Sequence, residues 1–173
     1  MPVPAFVWSE TNTVAAVTTD NIVQLVFAAT DTNSNTANLG PTSPVVVPQV
    51  GSVYSFEKYL RLKVTQVASN SLSAFGIYFA AFAPEDAGLA TASLNLYYGT
   101  TASYATPLNT ASLVATTLCA TNITQPGASI TAPANTLGAY SSYLAQQLKA
   151  TAGALGGNCI FPTPFVLLSY IYS

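Results

Sequence analysis

Glu85 and Asp86 stand side by side, and a carboxylate pair is the least that glycoside hydrolysis requires. Neighbours in a Pro-Glu-Asp-Ala-Gly turn rarely reach one substrate bond from two sides, so a solvated turn is the better reading. Tyr59 and Lys63 have the Tyr-x-x-x-Lys spacing of short-chain dehydrogenases, which need that pair on a helix beside a nucleotide-binding Gly-rich turn. Here the pair sits in an alternating strand pattern, which sets residues four apart roughly 13 Å from each other. Gly153-Ala-Leu-Gly-Gly157 is not followed by the Lys-Ser/Thr of a phosphate loop. Asn122-Ile-Thr124 is a glycosylation sequon, which matters only in a secretory pathway.

Cys119 and Cys159 fit no metal spacing, and the chain has no histidine to complete a site. Two readings stand for them. They are buried thiols acting as small hydrophobes, or they form a disulfide that closes a loop of about 41 residues and contributes about 4 kcal/mol. Synthesis in a reducing cytosol favours the thiols. These residues and the lone carboxylates leave little with which to run a reaction, so the sequence reads as a non-enzyme, with no catalytic, cofactor or metal residues.

Only four Lys/Arg and six Asp/Glu occur in 173 residues, 6% of the chain, where an ordinary domain has roughly 25%. From Ala87 to Gln147 there is no charge at all. A net charge of −2, with the one basic cluster at Lys58, Arg61 and Lys63, is too weak for nucleic-acid binding by charge. A surface of Thr, Ser, Asn and Ala has little repulsion to keep copies apart. Composition therefore points to a packing surface more than to an active site, without naming the partner.

The elements that would carry such a surface are short strands. Eleven Pro and ten Gly cut a half-apolar chain into segments suited to strands and turns. Val14–Val17 and Ile22–Ala29 read as strands. In Val53–Val67, Leu60, Leu62 and Val64 alternate with Arg61, Lys63 and Thr65. Leu72–Ala83 reads as a strand buried on both faces, and Ser93–Tyr98, Ser112–Cys119, Ala128–Thr131 and Phe165–Tyr172 continue the series. Leu137, Tyr140, Leu144 and Leu148 recur at helical spacing, with an N-cap at Asn135 or Thr136 and Gly153 at the end, so one short helix is expected near 136–152. The class expected is all-β: a single domain over 1–173, a jelly-roll sandwich or barrel of about eight strands, with an extended N-terminal arm at 1–10.

No apolar run approaches the ~20 residues that span a bilayer, and the N-terminus lacks the pattern of a secretory signal. Synthesis in a cytoplasm is the expectation. Trp8, the Pro-punctuated Val45, Val46 and Val47, and Tyr97, Tyr98 and Tyr104 are the candidate interface residues. Tyr140 and Tyr143 belong to the same Tyr-rich segments. Core packing, subunit contact and carbohydrate stacking all remain open for these tyrosines.

From MPVPAFVWSE to FPTPFVLLSYIYS, the charge-poor Thr/Ala/Ser chain resembles a family of small major capsid proteins. These are the smaller of two single-jelly-roll capsid proteins in tailless, membrane-containing icosahedral phages of Thermus. The resemblance is one of length and overall character and includes no short motif. It implies an upright β-barrel that tiles an icosahedral shell with copies of itself and a larger companion, above an internal viral membrane. It also implies a virion location and no cofactor. The alternative is a receptor- or carbohydrate-binding spike or decoration module that uses the Tyr-rich loops for recognition.

Overall fold

The computed structural model describes residues 3–35, 45–67, 69, 72–79, 94–118, 128–153, 160–162 and 166–172. They are all-β, of the sandwich/jelly-roll class, in antiparallel sheets. The strands are β1 (Ala5–Asn12), β2 (Val17–Asp20), β3 (Gln24–Val26), β4 (Ser52–Tyr54), β5 (Lys58–Gln66), β6 (Leu72–Phe79), β7 (Leu94–Thr101), β8 (Thr117–Leu118), β9 (Ala128–Ser129), β10 (Tyr143–Thr151), β11 (Ile160–Pro162) and β12 (Val166–Tyr172). The main sheet runs β2-β1-β5-β10-β7-β8, with β4 also paired to β10; β11-β3 and β12-β6-β9 form two smaller sheets. Several strands are only two or three residues long, which is why they outnumber the eight expected.

The alternation in β5 sets the two faces of the main sheet. Leu60, Leu62 and Val64 are 4%, 1% and 0% exposed, and pairing with β1 puts Glu10, Trp8 and Phe6 beside them on one face. Leu144 and Leu148 of β10 and Leu96 of β7 extend that inner face. Tyr59, Arg61 and Lys63 point the other way, with Ser9 and Thr11 of β1 and with Tyr143, Ala145 and Gln147 of β10. Residues 102–116 run between β7 and β8, and the loop's backbone comes down on the second face at Gly99. There a Cβ would stand 1.9 Å from the Val114 carbonyl oxygen.

The helix expected near 136–152 is absent: its second half is the strand β10, hydrogen-bonded between β5 and β7. Tyr143 through Leu148 are all buried. A strand covered on both faces has no polar side, so apolar residues fall at helical spacing as readily as at strand spacing. After a turn at Gly138 (φ 83°), the chain runs alongside β5, with Tyr140 bridged to Lys63. Val64 N–H donates to the Ala139 carbonyl (2.9 Å), and Gly138 and Ser141 donate back to β5.

Two other expectations need correction. From Ala5 onward the supposed arm at 1–10 is β1: Ala5–Thr11 pair with β5, with a register shift between Ala5 and Phe6, and Ser9–Asn12 also pair with β2; the proline punctuation ends at Pro4. Val14 is not in a strand but in the four-residue turn joining β1 to β2, where it is 84% exposed. That turn puts Thr13 and Ala16 at positive φ (65° and 54°). Backbone contacts from outside hold it: Thr13 N–H donates to Asp31 Oδ2 (2.8 Å), and its carbonyl accepts from the Tyr104 hydroxyl (2.6 Å).

Candidate functional site

On the second face of the main sheet the strands bring together six residues distant in sequence. Arg61 of β5 lies over two aromatic rings, its guanidinium carbon 3.8 Å from the Tyr140 centroid and 4.9 Å from that of Tyr143. Its Nη2 donates to Thr18 Oγ1 in β2 (2.9 Å). Tyr143 meets Tyr59 edge-on at 6.0 Å and 82°, and Tyr59 meets Tyr104 at 5.2 Å and 69°. Ala115 and Ala145 fill the space between these rings. Strand alternation explains the placement, because Tyr59 and Arg61 are two apart on β5 and Tyr143 projects from the neighbouring strand to the same side.

At the outer edge of this face, Asp20 gathers three donors: Ser9 Oγ (2.7 Å), the Tyr140 hydroxyl (3.1 Å) and the Lys63 ammonium. Burial works to raise the Asp20 pKa, but the hydrogen bonds from Lys63, Ser9 and Tyr140, with the Lys63 charge, outweigh it and leave it lowered. Lys63 is raised in turn, chiefly by its hydrogen bond to Asp20. Beneath the aromatic cluster, Glu57 is buried and accepts from Leu108 N–H (3.1 Å) and from the Tyr59 hydroxyl (3.4 Å). Burial, then the Glu57 charge, pushes the Tyr59 phenol up to about 12.

Gln147 adds further ties to the loop over this face. Gln147 Oε1 accepts from Ser112 N–H (2.9 Å), while its amide nitrogen donates to the carbonyls of Ser55 (2.9 Å), Leu108 (3.1 Å) and Thr110 (2.7 Å). Sequence reading placed Gln147 in a helix and gave it no role.

The expected interface residues do not form one patch. Tyr97 and Tyr104 belong to the tyrosine face, whereas Tyr98 and Trp8 are on the inner face, across from Gln146 and Leu62. Adjacent residues in a strand must diverge in this way. Val45, Val46 and Val47 lie outside the strands, and Val46 is 69% exposed. Arg61, Tyr140, Tyr143 and Asp20 complete the face. Alternation in β5 signalled Arg61, but nothing short of the pairing with β2 signalled Asp20. Cys119, Cys159, Glu85, Asp86 and Asn122 lie outside the described residues.

Charge is used in an unusual way across the molecule. Eight of the ten charged residues are described, and none of them is exposed. Glu10, Glu57 and Lys58 are buried, Asp20 and Lys63 pair with each other, and Arg61 lies over the Tyr140 and Tyr143 rings. Asp31 is bound to the β1–β2 turn, and Lys149 Nζ lies 5.8 Å from the Tyr54 ring. Large apolar side chains stand outside instead: Val50 and Leu113 are 88% and 89% exposed, and Val14, Val23 and Leu137 are also largely open. The tyrosine face offers two buried rings, Tyr59 and Tyr143, with Tyr97, Tyr104 and Tyr140 partly buried around them. Among the described residues, no group of three or more His, Cys, Asp or Glu is placed to hold a metal ion, and no helix is long and apolar enough to cross a membrane. No protein-family model, curated protein or solved structure matches this chain.

Proposed function

We propose that this chain is a non-enzymatic structural subunit that works through repeated contacts with copies of itself and with a larger companion. Its place is in the shell of a virion as a capsid protein, above an internal membrane. One observation carries the reading: the described charged side chains are buried or only partly exposed, while valines and leucines stand open on the surface. An isolated soluble domain gains solubility from the opposite arrangement. Apolar groups spread over several loops and turns suit a subunit buried on several sides.

Light scattering or sedimentation over a range of concentrations tests this. Self-association, or binding to the larger shell protein of the same particle, is the expected result. A strict monomer at tens of micromolar that also ignores that companion overturns the proposal. Electron microscopy of purified particles, with this chain located in the shell, is the direct check. Tyr59 and Tyr143 lend nothing to the carbohydrate-binding alternative, because they are 1% and 8% exposed and meet edge-on. A sugar needs open rings.

A further inference from the structure

The inner face of the main sheet contains a polar cluster that the proposed interface does not use. Glu10, Asn12 and Lys58 are 0%, 3% and 0% exposed. Glu10 and Asn12 are two apart on β1 and so share a face, and the β1–β5 register carries Asn12 across from Lys58, one step past the Thr11–Tyr59 pair. Lys58 Nζ donates to Glu10 Oε1 at 2.8 Å, and Asn12 Nδ2 donates to the same oxygen at 2.9 Å. Both nitrogens also share a second acceptor, the Thr32 carbonyl, which Asn12 reaches at 3.4 Å and Lys58 more closely. The amine of Lys58 thus stands beside the amide nitrogen of Asn12, on the same two oxygens.

A buried Lys–Glu ion pair is complete without a carboxamide. Here the carboxamide is held by its nitrogen alone: Asn12 Oδ1 is buried and has no hydrogen-bond partner among the described residues, an unfavourable state for an acceptor removed from water. Glu10 is fixed from its other side, since Oε2 accepts from Ser34 N–H at 3.0 Å. A nucleophilic nitrogen, an acyl group and a carboxylate able to carry a proton between them are the parts of an acyl transfer.

We propose that Lys58 and Asn12 form an intramolecular isopeptide bond, with Glu10 as the proton carrier. Lys58 passes one ammonium proton to Glu10 and becomes a neutral amine. Its lone pair forms the Nζ–Cγ bond to Asn12, and the Cγ=Oδ1 electrons move onto Oδ1. The Glu10 carboxylic acid protonates Nδ2 and its carboxylate takes the second proton from Nζ. The carbonyl re-forms, the Cγ–Nδ2 bond breaks and ammonia leaves. Nothing is oxidised or reduced, and no co-reactant is required. Asp31 Oδ1, 3.3 Å from Nδ2 on the half-buried side, receives the departing nitrogen. The protonated Glu10 then offers the donor that Oδ1 lacks. Fixed geometry replaces the encounter step of the reaction, and the dry site keeps water from competing with the amine. The product is a covalent tie between β1 and β5.

The test is the mass of the full-length protein under denaturing conditions, followed by a protease digest. The expected mass is that of the sequence less one ammonia, with a branched peptide joining the Asn12 and Lys58 segments. Glu10→Gln is expected to restore the full mass and two linear peptides. Wild-type protein at full mass overturns the proposal. So does ammonia loss confined to a linear Asn12 peptide, the mark of a succinimide, or a branch to Asp31 with loss of water. Unchanged cross-linking in Glu10→Gln overturns the role given to Glu10. The wild-type digest decides the bond itself even where that variant does not fold.

Discussion

Arg61 lies over Tyr140, with 3.8 Å between its guanidinium carbon and the ring centroid, and this contact joins β5 to the segment that precedes β10. Tyr143 covers the guanidinium from a second direction at 4.9 Å. Planarity makes the contact, so a lysine of equal charge cannot reproduce it. Arg61→Ala is expected to cost about 1–2 kcal/mol in urea denaturation, and Arg61→Lys to recover less than half of that. Full recovery with lysine would show that charge alone matters at this position.

Gly99 separates β7 from the loop that covers the tyrosine face. A methyl group there would stand 1.9 Å from the Val114 carbonyl oxygen and 2.7 Å from its carbon. Backbone must move to admit it, which lifts the loop from Tyr59, Tyr104 and Tyr143. Gly99→Ala is expected to lower stability by about 1–3 kcal/mol and to increase tyrosine exposure to solvent quenchers. An unchanged melting midpoint would mean that the loop is not seated on β7.

Gln146 and Gln147 are adjacent, both buried, and opposite in consequence. Gln147 ties Ser55, Leu108, Thr110 and Ser112 together, whereas neither end of the Gln146 amide has a hydrogen-bond partner among the described residues. Replacement by methionine preserves length and removes the amide. Gln147→Met is expected to cost on the order of 3 kcal/mol by leaving those backbone groups unpaired, and Gln146→Met to stabilise by about 1 kcal/mol. Urea midpoints that move in the same direction for both variants would contradict the assigned hydrogen bonding.

How far the sequence could be read follows from which faces are buried. β5 was legible because Leu60, Leu62 and Val64 alternate with residues that are only partly buried. β10 was not, because both of its faces are covered and its Leu, Ala, Gln and Lys are good helix formers whose preference the sheet overrides. Val14 looked like a strand residue, yet the turn around it is set by Asp31 and Tyr104, which are remote in sequence. The same limit applied to the tyrosine face. Tyrosines could be counted, but which of Tyr97 and Tyr98 faces the cluster, and that Asp20 closes its edge, depended on pairing. The approach of Glu10, Asn12 and Lys58 was hidden for that reason as well.

Alkaline pH gives a further check on the packing around Glu57. The Tyr59 phenol is pushed up to about 12 from an ordinary 10.0, by burial first and then by the Glu57 carboxylate. Tyr104 is raised too, mainly by burial. A raised value means that the unfolded chain releases these protons first. The folded state is therefore undisturbed below pH 10 and loses stability as pH rises from there towards 12. Denaturation midpoints that are flat to pH 10 and fall steeply above it are expected, and Tyr59→Phe should lessen the fall. A midpoint that fails to drop would place Tyr59 in solvent.

Assembly, by contrast, is expected to ignore salt and mild pH change, and this prediction rests on the proposed role as a packing subunit. Contacts made by exposed Val and Leu depend on apolar burial, which salt screening barely weakens. The chain has no histidine, so no unperturbed side chain titrates between pH 5 and 8. The Asp20–Lys63 pair adds no switch in that range. Asp20 is held below its ordinary 3.8, so its contribution is present above that value and is lost only as pH falls further; Lys63 is raised above 10.5, so its contribution is lost only at higher pH. Light scattering should therefore report the same association from low to high NaCl and across pH 5 to 8, with a response to temperature and to urea instead. Dissociation on adding moderate salt, or a sharp transition near pH 6, would show that charges outside the described surface dominate the contacts.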